Sequence, residues 1–339
     1  MTIAVVGATG LVGREMLTVL NERGFAKHDI IAAASAKSVG KQIAFADRQL
    51  TVHSVEEAIA ARPDYAIFSA GADASRQYAP LFAAVGTTVV DNSSAWRKDP
   101  QVPLVVPEIN IDAVKPTDHI VANPNCSTIQ MVLALSALQR EYGIRRLVIA
   151  TYQSITGTGI KAVRQLEAEE SGEWIVENGE RRTENIEMAY PHPIHRNLFP
   201  HGGDFLPDGY TTEEQKLVDE TRKIYADPSI AITATVVRVP VVGGHSEAVN
   251  VELRREYDLD DVRRLIATTP GVVLYDDPAH NVYPMPILSH HHDEVWVGRL
   301  RRDPSQPCSL NLWVVADNIR KGAATNAVQI VEELLKTRN

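Results

Sequence analysis

The segment GATGLVGREML, residues 7–17, follows directly on the apolar run IAVV and opens a helix-like stretch. Gly7, Gly10 and Gly13 give the spacing GxxGxxG rather than the stricter GxGxxG. Glycines let a backbone turn tightly and approach a pyrophosphate. The helix start adds unpaired N–H groups and the positive end of a dipole. Three glycines alone are weak evidence, but between a first strand and a first helix they read as a dinucleotide turn.

The rest of the first third agrees. Apolar or β-branched runs at 3–7, 29–35, 65–71, 87–93 and 119–125 alternate with helix-like segments such as LVGREMLTVLNERG and DASRQYAPLFAAVG. That alternation predicts βαβ units and a parallel sheet. After residue 145 the runs lengthen and alternate in polarity: RRLVIATYQSI, SIAITATVVRVPVV, SEAVNVEL, EVWVGRLRR and SLNLWVVAD. These predict a mixed sheet with one face on a helix layer and the other partly open for an interface. Residues 173–209, rich in Pro, Gly, His and Asn, read as a long loop. The last stretch, NIRKGAATNAVQIVEELLKTRN, reads as an amphipathic helix returning to the first domain.

The end of the second strand reads AAASAKSVGK, with no carboxylate to take ribose hydroxyls. Ser35, Lys37 and Ser38 are donors suited to a 2′-phosphate, which favours NADP over NAD. The bland alternative is that Lys37 is a solvated loop lysine.

Composition excludes several classes. The chain has 339 residues, 44% hydrophobic and 23% charged, with net charge −9. That is soluble globular composition with room for two domains. The acidic balance argues against nucleic acid, and no apolar run approaches the roughly 18 residues of a membrane span. The two cysteines make no disulfide framework and the N-terminus has no signal-peptide pattern, so a reducing cytoplasm is expected.

One of the cysteines, Cys126, lies in NPNCSTIQM, between a strand-like run and the apolar helix-like MVLALSAL. A thiol at a helix start feels the dipole, which favours thiolate. Position favours a nucleophile over a buried filler. Cys308, just before LNLWVV, fits the filler role. Among eleven histidines, the HPIH run lies in the predicted loop. The HHH triplet, which could suggest a metal, lacks a flanking carboxylate or cysteine at site spacing and reads as solvated surface, with no metal site expected. His245 differs, lying between two strands beside Gly243 and Gly244, seven residues after Arg238. Position alone favours a structural role for His245 over a catalytic one.

GATGLVG, SAKS, DNSSAWR, VPLVVPEIN, NPNCSTIQM, TYQSITGTG, RVPVVGGHSEAV and DNIRKGAATNAVQI occur in one order. With these motifs the chain resembles the bacterial-type aspartate-semialdehyde dehydrogenases over nearly its whole length. The resemblance implies an α/β fold: an N-terminal Rossmann-like NADP-binding domain, then an α+β catalytic and dimerisation domain with a mixed sheet. It implies a first domain at 1–125 completed by a C-terminal helix at 319–339, and a second at 126–318. The implied enzyme is an NADP-dependent, phosphorylating aldehyde oxidoreductase of lysine, threonine, methionine, isoleucine and diaminopimelate biosynthesis. A homodimer or homotetramer in the cytoplasm is implied too.

The resemblance also assigns residues. Cys126 becomes the acyl-thioester nucleophile, His245 the acid/base, and Gln153 the group that orients substrate at the cysteine. Arg238 would grip the α-carboxylate and Glu213 would face the amino group. Arg97, Lys216 and Asn125 would form the phosphate site. Gly7, Thr9, Gly10, Leu11 and Val12 would hold the pyrophosphate, and Ser35, Lys37 and Ser38 the 2′-phosphate. Thr156, Gly157 and Asn318 would lie near the nicotinamide. Lys37 stands where many relatives have arginine, losing the planar fork but keeping the charge. N-acetyl-glutamyl-phosphate reductases share the chemistry, but their cysteine usually follows a glycine, where Asn125 stands here. An inactive NADP-binding paralogue would be expected to lack the cysteine or the histidine, and both are present.

Overall fold

The computed structural model describes residues 1–172, 174–177, 180–183 and 187–338. The chain divides into two compact units: Met1–Asn125 with Lys223–Ala226 and Arg320–Asn339, and Cys126–Arg222 with Asp227–Ile319.

The first unit begins β1 (Thr2–Val6), α1 (Leu11–Glu22), β2 (Asp29–Ala33), β3 (Gln42–Phe45), β4 (Arg48–Thr51), α2 (Val55–Ala60). It continues β5 (Tyr65–Phe68), α3 (Ala72–Ala84), β6 (Thr88–Asp91), α4 (Pro107–Asn110), β7 (Ile120–Ala122). Five strands form an all-parallel sheet in the order β2-β1-β5-β6-β7. β1 shows why its run is wholly apolar. Ile3 and Val5 join one buried cluster and Ala4 and Val6 another, because successive side chains leave opposite faces. Both faces are covered, as parallel sheets require. The first cluster includes Met16, Leu17 and Leu20 of α1, and Ala327, Val328 and Val331 of the C-terminal helix Thr325–Arg338. The antiparallel pair β3–β4 was not among the expected strands.

A π-helical turn, Arg320–Ala324, leads into that C-terminal helix. Wide turns of this kind are rare. Here the turn accompanies a buried polar cluster. Lys321, 1% exposed, donates to both Glu108 oxygens at 2.8 and 2.9 Å, to Asn326 Oδ1 and to Gln329 Oε1.

The second unit contains α5 (Cys126–Tyr142), β8 (Ile144–Ser154), α6 (Ile160–Ser171), β9 (Trp174–Glu177), β10 (Glu180–Thr183) and α7 (Thr212–Ile224). Then follow β11 (Ala231–Val239), β12 (His245–Leu253), α8 (Leu259–Ala267), β13 (Val272–Leu274), α9 (Pro286–Ser289), β14 (Val295–Arg302) and β15 (Ser309–Ala316). Six strands form a mixed sheet in the order β11-β8-β12-β15-β14-β13. α5 is buried from Ser127 to Leu138, the state expected of a helix apolar on nearly every side. In β12, Val249, Val251 and Leu253 are shielded on one face, whereas Ala248 and Asn250 on the opposite face are partly exposed. Tyr152 and Trp313 share that half-open face, their rings 5.5 Å apart. The expected loop at 173–209 is partly corrected: β9 and β10 pair as an antiparallel ribbon. Residues 173, 178, 179 and 184–186 of that stretch lie outside the described residues.

Candidate active site

The strand β7 ends at Ala122, and Cys126 is the first residue of α5. The intervening turn is built by asparagine. Asn123 donates to Asn92 Oδ1 at 2.7 Å and accepts from Asn326 Nδ2 at 2.7 Å. Arg97, 8% exposed, is anchored to the same Asn92 through its main-chain oxygen. Asn125 is 6% exposed. Cys126 is half-buried, forms no disulfide, and sits where the helix dipole favours a thiolate. Cys308 does not match the expected buried filler. It is half-buried in a left-handed turn (φ 54°), and its thiol donates to Glu256 at 3.2 Å.

The first turns of α5 are tied to two strands. Gln153 on β8, 1% exposed, donates to Ser127 Oγ at 2.7 Å. Gln130 donates to the main-chain oxygen of His245 at 3.3 Å.

His245 opens β12 and is fully buried. Its Nδ1 accepts the backbone N–H of Ser154 at 3.0 Å. A backbone N–H can only donate, so Nδ1 carries no proton and the neutral ring has its hydrogen on Nε2. Nε2 has no partner of its own. Burial, reinforced by the charge of Arg238 and opposed by Glu213, pushes the His245 pKa down to about 3. The ring is therefore neutral at physiological pH.

Arg238, 6% exposed, donates through Nη1 to Ser154 O at 2.7 Å and lies over the Tyr190 ring at 5.9 Å. Its Nε is unpartnered. Gly157 shows how closely these groups converge. A Cβ there would lie 3.2 Å from His245 Nε2 and 3.3 Å from Arg238 Nη1. Nearby, Asn318 Oδ1 accepts from Thr156 Oγ1 at 3.0 Å and from Gly244 N at 3.2 Å. On α7, Lys216 and Glu213 form an ion pair of 2.7 Å.

In the first unit, Gly7 (φ 90°) has no room for a side chain, since a Cβ would lie 2.3 Å from Ser69 O. A Cβ on Gly13 would lie 2.1 Å from Gly7 O, so the third glycine permits close strand–helix contact. Gly10 caps α1 without any side chain over the first N–H groups. That leaves Leu11 and Val12 at an open helix start suited to phosphate. Thr9 Oγ1 reaches Ser38 Oγ at 3.5 Å, joining the glycine turn to the short turn Ala36–Ser38 that carries exposed Lys37 next to exposed Ser35. The residues present therefore fit a dinucleotide with an extra phosphate.

Cys126, Gln153, Thr156, Gly157, Glu213, Lys216, Arg238, His245 and Asn318 thus all fall in one unit. The glycine-turn residues, Arg97 and Asn125 fall in the other. Sequence reading missed Ser154, whose main chain holds both His245 and Arg238; no residue type announces such a role. It also missed Ser127 and Gln130. His290, His291 and Asp317 bring three donor atoms within 4.8 Å, but the Asp317 carboxylate already accepts from His290, from His291 N and from Ile319 N. Among the described residues no helix is long and apolar enough to cross a membrane.

The glycine-turn parallel sheet marks the class of nucleotide-binding oxidoreductases, and the second unit adds a cysteine at a helix start and a neutral imidazole beside a buried arginine. The family model described as "Semialdehyde dehydrogenase, NAD binding domain" matches residues 2–117, and "Semialdehyde dehydrogenase, dimerisation domain" matches 135–321. An Aquifex aeolicus protein named aspartate-semialdehyde dehydrogenase is 47% identical over 98% of each chain. The chain belongs to the aspartate-semialdehyde dehydrogenase family. A Legionella pneumophila protein of the same name is 49% identical, covering 98% of this chain and 95% of its own. The crystal structure of Vibrio cholerae aspartate semialdehyde dehydrogenase II, complexed with ASA, superposes with TM-score 0.92 at 41% identity, over 99% of this chain and 98% of that one.

Proposed function

We propose that this chain catalyses the NADPH-dependent reductive dephosphorylation of L-β-aspartyl phosphate to L-aspartate 4-semialdehyde. The step serves the biosynthesis of lysine, threonine, methionine, isoleucine and diaminopimelate. The observation that carries the residue assignments is the convergence of His245 Nε2 and Arg238 Nη1 on one point beside Gly157.

The Cys126 thiolate attacks the acyl carbon, a C–S bond forms, and phosphate leaves. Arg97 and Lys216 balance charge on that phosphate, the neutral Asn125 amide offers it a hydrogen bond, and Glu213 faces the substrate ammonium. Arg238 offers the planar fork that suits an α-carboxylate. Gln153, held by Ser127, orients the acyl group. Gly7, Thr9, Gly10, Leu11, Val12, Ser35, Lys37 and Ser38 would hold NADP(H), with Thr156, Gly157 and Asn318 toward the nicotinamide, and the bound cofactor would supply the hydride for the acyl carbon. The resulting oxyanion accepts a hydrogen bond from His245 Nε2–H, together with backbone N–H groups at the start of α5. Such donors are worth about 10²–10³ in kcat. Collapse breaks the C–S bond, frees the aldehyde and restores the thiolate. His245 thus acts first as a neutral hydrogen-bond donor, because Ser154 occupies Nδ1 and disfavours a second ring proton.

Residues 1–125 with the C-terminal helix form the NADP domain, and 126–318 the catalytic domain. The half-open sheet face around Tyr152 and Trp313 supplies the contact between copies in a homodimer or homotetramer, in the cytoplasm. The deciding assay follows NADPH absorbance with aspartate semialdehyde, phosphate and NADP. Turnover is expected, and an inert, folded protein rejects the reading.

A further inference from the structure

Glu247 stands two residues after His245 on β12, so both side chains leave the same face of the strand. It is fully buried, and neither carboxyl oxygen has a hydrogen-bond partner. Two neighbouring polar atoms share that state, a hydroxyl that could donate or accept but bonds to nothing and an amide oxygen that can only accept. Thr151 Oγ1 lies on β8 directly opposite Glu247 in the ladder, and Gln130 Oε1 lies on α5. On the other flank, β15 opposes Glu247 with apolar Val314.

An ionised carboxylate sealed from water without donors is so costly that the group takes up a proton instead. Burial holds the Glu247 carboxyl well above its ordinary range, and only the nearby Gln130 side chain pulls the other way. A neutral acid has one O–H to give, and Gln130 Oε1 is an acceptor that lacks a donor. The same amide already donates through Nε2 to the main-chain oxygen of His245 at 3.3 Å. The protonation of Glu247 therefore decides which way that amide points. A carboxylate would attract the NH₂ group and strip it from His245. A carboxylic acid turns Oε1 toward itself and leaves Nε2 aimed at His245.

We propose that Glu247 is a positioning residue: as a neutral acid it orients the Gln130 amide, which holds the His245 main chain and so the imidazole in place. The catalytic consequence rests on the role assigned to His245 above, whereas the protonation does not.

Two readouts separate the two. The infrared difference spectrum of wild type minus Glu247→Gln, near neutral pH, should contain the carbonyl band of a protonated carboxylic acid. Carboxylate bands in its place overturn the proposal, whatever the enzyme's activity. In kinetics, Glu247→Gln keeps a donor for Gln130 and should retain kcat within about twofold. Glu247→Met and Gln130→Met each cut the same chain. Each should lower kcat about tenfold with KM little changed, through misplacement of the imidazole. The double variant should be no slower than either single one. Wild-type kcat in Gln130→Met, or a Glu247→Gln enzyme about tenfold slow, overturns the proposal even if Glu247→Met fails to fold.

Discussion

The backbone of Ser154 governs His245: its N–H donates to Nδ1 at 3.0 Å and leaves the single proton of the neutral ring on Nε2. Its carbonyl accepts from Arg238 Nη1 at 2.7 Å, so one peptide stretch sets both the tautomer and the guanidinium.

The first consequence is a pH dependence of stability. The unfolded chain protonates residue 245 below about pH 6.5, while the folded chain does so only near a pKa of about 3. Stability contributed by the neutral ring is therefore lost as pH falls through that window, at about 1.4 kcal/mol per unit. Between pH 7 and 5 wild type should lose about 2 kcal/mol more than His245→Gln in urea unfolding. Equal losses would mean that the folded ring charges freely.

Chemistry at Cys126 and His245 should separate. Cys126→Ala removes the nucleophile, and turnover should vanish with the fold intact by circular dichroism. His245→Ala keeps the thiol, so acylation by the acyl phosphate persists while kcat falls about 10²–10³-fold. Intact-protein mass spectrometry should then show an acylated cysteine. Normal turnover by Cys126→Ala would end the thioester route.

Gly157→Ala tests the convergence of the two side chains. The added methyl would stand 3.2 Å from His245 Nε2 and 3.3 Å from Arg238 Nη1, so both must shift by tenths of an ångström. Such displacements in a site cost rate more than stability. We expect kcat/KM to fall about tenfold with Tm changed little; an unaltered kcat/KM would mean that the substrate does not use this point.

How much of this was legible in the sequence follows from what each element depends on. β1 and α5 are read directly, because a strand buried on both faces and a helix buried on most sides leave unbroken apolar runs. The β3–β4 and β9–β10 pairs escaped because they are four-residue strands with charged and polar members. Glu247 escaped for a different reason. A glutamate in an alternating strand reads as solvent-facing, and only its parity with His245 places it inside. Ser154 acts through its main chain, which carries no residue signal, so its hold on both His245 and Arg238 needed the registers of β11 and β12 against β8.

Lys37 provides a test of the cofactor. It is the exposed cation after β2, beside Ser38, which meets Thr9 of the glycine turn. Lys37→Ala should raise KM for NADPH about tenfold, in line with a lost charge-assisted contact, and leave KM for NADH unchanged. Lys37→Arg should sharpen the preference for NADPH. Equal effects of Lys37→Ala on both cofactors would place the 2′-phosphate elsewhere.

Lys321 tests the seat of the C-terminal helix. Its ammonium is 1% exposed and shared among Glu108, Asn326 and Gln329. Lys321→Met leaves the Glu108 carboxylate, 14% exposed, without its counter-charge, which costs about 3–5 kcal/mol. Removing both charges, as in Lys321→Met with Glu108→Leu, costs far less, because a buried pair often gains little over apolar groups of similar volume. Urea midpoints should therefore drop sharply for the single variant and recover most of the way in the double one. A double variant as unstable as the single would show that the π-turn needs the ammonium for its hydrogen bonds to Asn326 and Gln329, and not for its charge.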